Sequence, residues 1–401
     1  MTADEYNERR AEILRDLGAT TEDVAELLPY ADSGFGDDAL GATRDYPLPD
    51  EEFVDAWQRV QREATSIGTI AALKRTLIQL QFAVEQGMST RPAYQAATRR
   101  GVLSVGSADA GALFTDPDHV MLSLHPTAAG RLPVIVAESR PDFELLVRAL
   151  TRRNEPEALP ASMGASIVGG YNNWSRIAAM RHEWANGNPE LAHDDAAWGV
   201  EFARIVPQRA RYQDRLVLLS SGPYSDTPAH AVGESVDEWR RLSLIIRLEH
   251  ECAHYFTRRV FGSMRNALLD ELIADYTGIV AARGRFEPEW LIRFMGVEHT
   301  RLRPGGRLMN YRGTPPLSDS AFCVLQEMVR RAAHTLDAFD AMVRCASPHT
   351  SQNRTLDQVA AAITAIARVG LERLIAPDGA RAMHAEFEAC LAHGQAHAVT
   401  S

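Results

Sequence analysis

The chain has 401 residues, 45% of them hydrophobic and 24% charged, with a formal net charge of −11. That is ample for a buried core of two or three layers or subdomains. The acidic balance argues against nucleic acid or an anionic membrane as a partner, because phosphate binding needs a basic surface.

No apolar run approaches the roughly 18 residues that would cross a bilayer. The longest tidy one, Leu242–Leu248, is broken by Ser243 and Arg247. The first residues are acidic and polar, without the basic start and apolar stretch of a signal peptide. The four cysteines, Cys252, Cys323, Cys345 and Cys390, show no C-x-x-C spacing. Together these features predict free thiols in a reducing, cytoplasmic compartment.

In chain order, residues 1–28 carry apolar positions at helical spacing (Ile13, Leu14, Leu17, then Val24, Leu27, Leu28), and a Gly/Asp-rich loop follows through residues 33–38. The stretch from 50 to about 80 reads as two helices, one with Phe53, Trp57 and Val60 on a face, the other with Ile70, Leu73, Leu77 and Leu80. Residues 120–124 and 132–137 read as strands joined by a turn at Ala129-Gly130, and 215–220 as a third strand ended by Gly222-Pro223. Helical stretches separate them around 143–150, 174–185 and 194–205. The segments 164–166 and 169–174 read as a Gly/Asn-rich turn entering a helix. From Ser235 onward the pattern is almost wholly helical, interrupted at Gly305-Gly306 and Thr314-Pro315-Pro316. The expected fold is α+β and predominantly helical, with a small central sheet and a helical C-terminal half. The expected division is 1–118 (mainly helical), 119–234 (mixed) and 235–401 (helical).

The chemistry concentrates in that last region. Ser235 and Glu238 have capping-box spacing ahead of a long apolar-periodic helix, and Gly262 is placed to stop it. Inside the helix lies His250-Glu251-Cys252-Ala253-His254. Residues four apart sit one turn apart, about 40° around the axis, so both imidazoles can reach one ion. Glu251 projects to the side, which suits a base better than a ligand. A second helix, from about 266 to 282, contains Asp270-Glu271-Leu272-Ile273-Ala274-Asp275-Tyr276-Thr277-Gly278. There Glu271 and Asp275 share a face that is otherwise apolar, and buried carboxylates require a partner or a metal. A solvated acidic edge is the plainer alternative.

H-E-x-x-H followed by E-x-x-A-D-x-x-G on the next helix resembles the gluzincin type of zinc metallopeptidase. The resemblance implies His250, His254 and Glu271 as ligands of one zinc per chain, Glu251 as general base, and Asp275 as the carboxylate orienting a ligand histidine. The metzincin pattern does not fit, since Thr257 and Val260 occupy its Gly and third-ligand places. The gap from His254 to Glu271 is shorter than in the thermolysin and aminopeptidase branches, and the match covers only about 235–282. The strings at 263–266 and 270–275 are similar to those of an uncharacterised bacterial family, a likeness that brings no activity with it.

Such a site implies hydrolysis of a peptide or an amide-containing small molecule, with the metal lowering the pKa of water to roughly 7 and Glu251 moving the proton. Tyr276, Tyr311, Arg312 and His334 are candidates to stabilise the developing oxyanion by residue type. The gluzincin resemblance also implies an edge strand at 215–220 to pair with substrate, with the loop Ser221–Ser225 lining the cleft. Two other readings stay open: a zinc enzyme modifying a small metabolite in a biosynthetic pathway, and a non-catalytic metal-stabilised regulatory protein. Arg301, Arg303, Arg307 and Arg312 form either a solvated basic loop or a clamp for anionic groups. His182-Glu183 and His193 with Asp194 and Asp195 read as surface residues, and Cys252 as a packing residue.

Overall fold

A computed structural model describes residues 3–32, 35, 44–103, 111–262, 268–299, 302–346 and 354–398. The fold is α+β and predominantly helical, with one four-stranded sheet. The chain divides into two compact units, and the division differs from the three consecutive regions expected. One unit comprises Met1–Leu48, Thr127–Ala129 and Pro223–Ser401; the other comprises Pro49–Pro126 and Gly130–Gly222. The N-terminal helices therefore belong with the C-terminal half. Local pattern does not carry that information, because it reports which face of a helix is apolar and not which distant helix covers it.

The helices of the N-terminal segment are α1 (Ala3–Arg15) and α2 (Thr21–Ala31). The first is tied to the C-terminal helices by a buried pair, Arg10 to Glu372 at 2.6 Å. Thr20 caps the second, with Asp23 returning the bond to the cap. The Gly/Asp-rich loop expected at 33–38 lies, apart from Phe35, outside the described residues.

The other unit contains α3 (Val54–Ile67), α4 (Thr69–Thr76), α5 (Pro92–Arg100), β1 (Val120–His125), β2 (Leu132–Ala137), α6 (Arg140–Thr151), β3 (Ala165–Asn172), α7 (Trp174–Gly187), α8 (Asp195–Ile205) and β4 (Gln213–Ser220). The strand order is β1-β2-β4-β3, with β2 and β4 parallel and both outer pairs antiparallel. The strand at 215–220 is therefore interior, not the edge strand expected: β2 and β3 occupy its two sides, leaving no free ladder for a peptide. Its run of buried residues from Leu216 to Ser220 is what a strand covered on both faces requires. The Gly/Asn-rich stretch read as a turn is β3. A bulge between Gly169 and Tyr171 absorbs the glycine pair, and Gly170 supplies the positive φ of 76° that it needs. The helix entry after it stands as expected, with Asn173 capping α7 through Ser175 N and Arg176 N.

This unit is pinned by Asp214 on β4, which is fully buried. Its carboxylate accepts from Trp57 Nε1 on α3 at 2.9 Å, Asn173 Nδ2 at 2.6 Å and Arg176 Nη1 on α7 at 2.6 Å. Burial pushes the carboxyl up from its ordinary range, while Asn173, Arg176 and Trp57 oppose that shift. One side chain thus joins two helices to the sheet.

The remaining helices are α9 (Val236–Phe261), α10 (Leu268–Arg283), α11 (Pro288–Met295), α12 (Asp319–Ala346), α13 (Leu356–Val369), α14 (Leu371–Leu374) and α15 (Gly379–Ala398). Ser235 caps α9 by accepting from Glu238 N, but the Glu238 carboxylate turns to Arg241 instead of completing the box. Gly262 ends the helix at φ 73° in the left-handed region. No helix among the described residues is long and apolar enough to cross a membrane.

Replacing Arg176 by Met removes the cation and leaves Asp214 buried without it. The expected cost is about 3–5 kcal/mol, read from urea unfolding of this unit. A loss below 1 kcal/mol would show that the pair does not hold the unit together.

Candidate metal centre

Helices α9 and α10 pack at unusually close range, and the reason is one residue. A Cβ at Gly278 would lie 2.6 Å from the backbone oxygen of Ile246. With glycine there, α10 settles against α9 and is buried at every position from Leu268 to Val280. That run includes Asp270, Glu271 and Asp275, carboxylates that are no more than 5% exposed.

Those carboxylates meet His250 and His254, both buried on α9. The two Nε2 atoms are 3.1 Å apart. Glu271 lies across from them, Oε1 3.5 Å from His254 Nε2 and Oε2 3.7 Å from His250 Nε2. One donor atom from each of the three residues falls within 4.8 Å of the other two. Tetrahedral zinc with bonds of about 2.0–2.1 Å separates its ligands by about 3.3 Å, so the three spacings suit it.

The outward nitrogens are held by carboxylates from α10. His254 Nδ1 is 3.0 Å from Asp270 Oδ2, and His250 Nδ1 is 3.1 Å from Asp275 Oδ1. Carboxylates facing both Nδ1 atoms favour a proton there and turn the Nε2 atoms toward each other and toward Glu271. The Tyr224 hydroxyl also lies against His250 Nδ1, at 2.9 Å, and donates to Asp275 Oδ1 at 2.7 Å. Arg307 pairs with the second oxygen of Asp275 and donates to the Tyr224 hydroxyl at 3.0 Å. It reaches the centre from a short 3₁₀ turn, Arg307–Tyr311.

The charges follow from these contacts. Burial favours the neutral acid of Asp275, but the Arg307 charge and the bonds to His250 and Tyr224 hold its pKa down at about 2. Burial likewise opposes ionisation of Glu271, yet His254, His250 and Arg307 keep it below the ordinary carboxylate range. For His254, burial pulls the pKa down, but the Asp270 hydrogen bond and the charges of Glu271, Asp270 and Glu251 raise it to about 10. With no other cation supplied, this site holds a proton firmly.

The expected residues separate into two groups. His250, His254, Glu271 and Asp275 converge as the sequence predicts. Glu251 sits beside them, half-buried, and its carboxylate makes no hydrogen bond or ion pair among the described residues. Tyr311 reaches Glu271 with its hydroxyl, and burial first, then Glu271, drives its pKa upward. Tyr276 is not brought to the centre: its hydroxyl meets Asp340 at 3.4 Å and its ring packs on Phe286 and Phe339. Arg312 is bound to Asp319 and to the Leu317 carbonyl, over the ring of Phe322. His334 is exposed on α12. Of the arginine cluster, Arg307 does clamp anionic groups, Arg303 pairs with Glu298, and Arg301 lies outside the described residues. Cys252 is buried with its thiol pKa pushed up by burial, as suits packing; all four cysteines are free.

Three residues of the centre were not singled out individually by the sequence. Asp270 was visible as the residue before Glu271, five before Asp275, and its spacing from His254 does not announce a contact. Tyr224 was legible only as part of a loop, and Arg307 only as one of several arginines.

The chain belongs to a family of unknown function, DUF7005, whose model matches residues 12–378. No curated protein and no solved structure matches it.

Gly278→Ala is expected to drive a methyl group into the Ile246 carbonyl, which cannot move aside as a side chain would. The cost should be about 1–3 kcal/mol in thermal or urea unfolding. An unchanged midpoint would mean that the two helices do not need this contact distance.

Proposed function

We propose that this chain is a zinc-dependent hydrolase that cleaves an amide or peptide bond at the centre formed by His250, His254 and Glu271. The observation that carries the reading is the convergence of two imidazole Nε2 atoms and a buried carboxylate, with both histidines held from behind by carboxylates. The set of Asp270, Glu271, Asp275 and Arg307, three anions and one cation, has a formal charge of −2, which a divalent ion balances. Nitrogen and oxygen donors in this number suit zinc and leave an open position.

Bound zinc would supply Lewis acidity toward a carbonyl and toward water. The protein's own contributions are distinct. His250, His254 and Glu271 hold the ion, while Asp270 and Asp275 fix the imidazole orientations. The Glu251 carboxylate, unengaged by the described residues and beside His254, accepts a proton from the attacking water and returns it to the departing nitrogen. The substrate is a peptide or an amide-containing small molecule. The four free cysteines fit a reducing compartment, and we place the protein in the cytoplasm.

Purified protein is expected to carry about one zinc per chain by elemental analysis, removable with a chelator. Glu251→Gln should keep the zinc and lower hydrolysis of a peptide library by about 10²–10⁴-fold. Protein that takes up no zinc from supplemented medium would overturn the reading. A Glu251→Gln protein with full hydrolysis would remove the base from it, and one with no lost function in cells would favour the non-catalytic regulatory role.

Zinc must displace the proton that His254 otherwise holds. Because that pKa is raised to about 10, the proton is present at every pH below it, so apparent zinc affinity should fall by up to tenfold per unit as pH drops from 9 to 6. Calorimetry in buffers of different ionisation enthalpy would read the released proton. A pH-independent affinity over that range would contradict the occupancy of Nε2 by a proton in the metal-free protein.

A further inference from the structure

The Tyr224 hydroxyl has three neighbours, and three is all that a hydroxyl can serve. It donates one hydrogen bond and accepts two. Arg307 Nη1 can only donate to it, at 3.0 Å, and Asp275 Oδ1 can only accept from it, at 2.7 Å, while that carboxylate is ionised. The remaining neighbour, His250 Nδ1 at 2.9 Å, must then be the donor. We propose that Tyr224 is a positioning residue of the centre, one that keeps the His250 proton on Nδ1 and so turns the Nε2 lone pair to Glu271 and His254.

The surroundings of Tyr224 are built to hold it in this place. Its ring is 4% exposed and meets His250 and Phe294 edge-on, at 5.9 and 4.9 Å between centroids. Its backbone N–H donates to Ser243 Oγ at 2.9 Å, and Ser243 is on α9, seven residues before His250. Arg247, three residues before His250, binds the Pro223 carbonyl at 2.8 Å and lies over the tyrosine ring. The next two residues, Ser225 and Asp226, have φ values of 51° and 53°, in the left-handed region that non-glycine residues seldom occupy, aspartate more readily than serine. Trp239 Nε1 donates to the Thr227 carbonyl at 2.6 Å and closes the turn. Ser225 Oγ donates to the Phe294 carbonyl on α11 at 3.2 Å, so two adjacent non-glycine residues in the left-handed region are held by both α9 and α11, and the side chain this turn places is Tyr224.

This inference rests on the metal reading, and the experiment separates the two. Tyr224→Phe removes the hydroxyl and keeps the ring. Zinc affinity, measured by competition with a chromophoric chelator, should weaken about 10–100-fold, the range seen for groups that orient metal-ligating histidines. The visible spectrum of the cobalt-substituted variant should change as well. A purely structural tyrosine would lower the melting temperature of the metal-free protein and leave both readouts alone. In the zinc-loaded parent, nitrogen-15 NMR of labelled histidine should show His250 protonated at Nδ1, a readout that does not depend on the variant folding. If the parent binds zinc and Tyr224→Phe binds it within threefold, or if His250 carries its proton on Nε2, the positioning role is wrong and the metal centre stands. If the parent binds no zinc, both fail.

Discussion

Three carboxylates on one buried helix set the terms for everything around them. Asp270, Glu271 and Asp275 are each no more than 5% exposed, on a helix whose described neighbours are mostly aliphatic. An isolated charge in such a place is prohibitively costly, so each must be met by a donor or a cation. Asp275 receives Arg307, Tyr224 and His250; Asp270 receives His254; Glu271 faces both imidazoles and Tyr311. Among the described residues, Asp270 Oδ1 has no partner even so. Among the described residues the arrangement has more negative than positive charge, and that excess supports the proposed cation between the histidines and Glu271.

The same constraint explains parts of the fold that local sequence does not. Arg307 must be delivered to Asp275 from outside the helix pair. The segment that carries it folds back on α11 where two glycines touch: a Cβ at Gly296 would lie 2.6 Å from Gly306 Cα, and Gly306 lies against the Met295 carbonyl. Arg303 donates to the Arg293 carbonyl and Arg330 to those of Val297 and His299, fastening the segment to α11 and α12. The Tyr30 hydroxyl, on α2, then meets the Tyr311 carbonyl at 2.7 Å. Part of the reason for the N-terminal helices lying in the unit of the candidate centre is thus visible at the turn carrying Arg307 and Tyr311.

What the sequence reveals here follows from how local each feature is. His250 and His254 are legible because a helix puts residues four apart on one face, and α9 announces itself through Ser235, its apolar stripe and Gly262. Glu271 and Asp275 are legible for the same reason on α10, and Gly278 belongs to the same motif through its packing role. The strands at 120–125, 132–137 and 213–220 show in their apolar runs. Pairing order does not, because hydrogen-bond partners of a strand are chosen by distant segments; the edge position that the gluzincin resemblance implied for β4 is thus overturned only by the sheet order, and the bulge at Gly169-Gly170 hid β3 behind a turn signature. Tyr224 lies 26 residues before His250 and Arg307 lies 32 after Asp275, and no periodicity links them. Residue type alone misassigned Tyr276, whose neighbour Asp275 points to the centre while it points to Asp340, because adjacent helical residues diverge by about 100°.

An ion-pair network of this kind can also be purely structural, and the contrast with Asp214 shows what distinguishes the two. Asp214 is fully buried, yet it is answered by Arg176, Asn173 and Trp57, all donors, and the cluster holds no convergence of lone pairs. Asp340 is similar, taking Arg344, Arg354 and the Phe286 N–H. Both clusters close on themselves. The centre between α9 and α10 does not: two Nε2 atoms at 3.1 Å, with carboxylates behind both rings, converge with Glu271 on one point, a place that takes a cation, be it a proton or a metal ion. A fold that needed only a rigid helix pair would be better served there by apolar residues of equal volume. Retaining two imidazoles, a third donor and the half-buried Glu251 is intelligible if the space they surround is filled by a cation, and if what happens beside that cation is the use of the site.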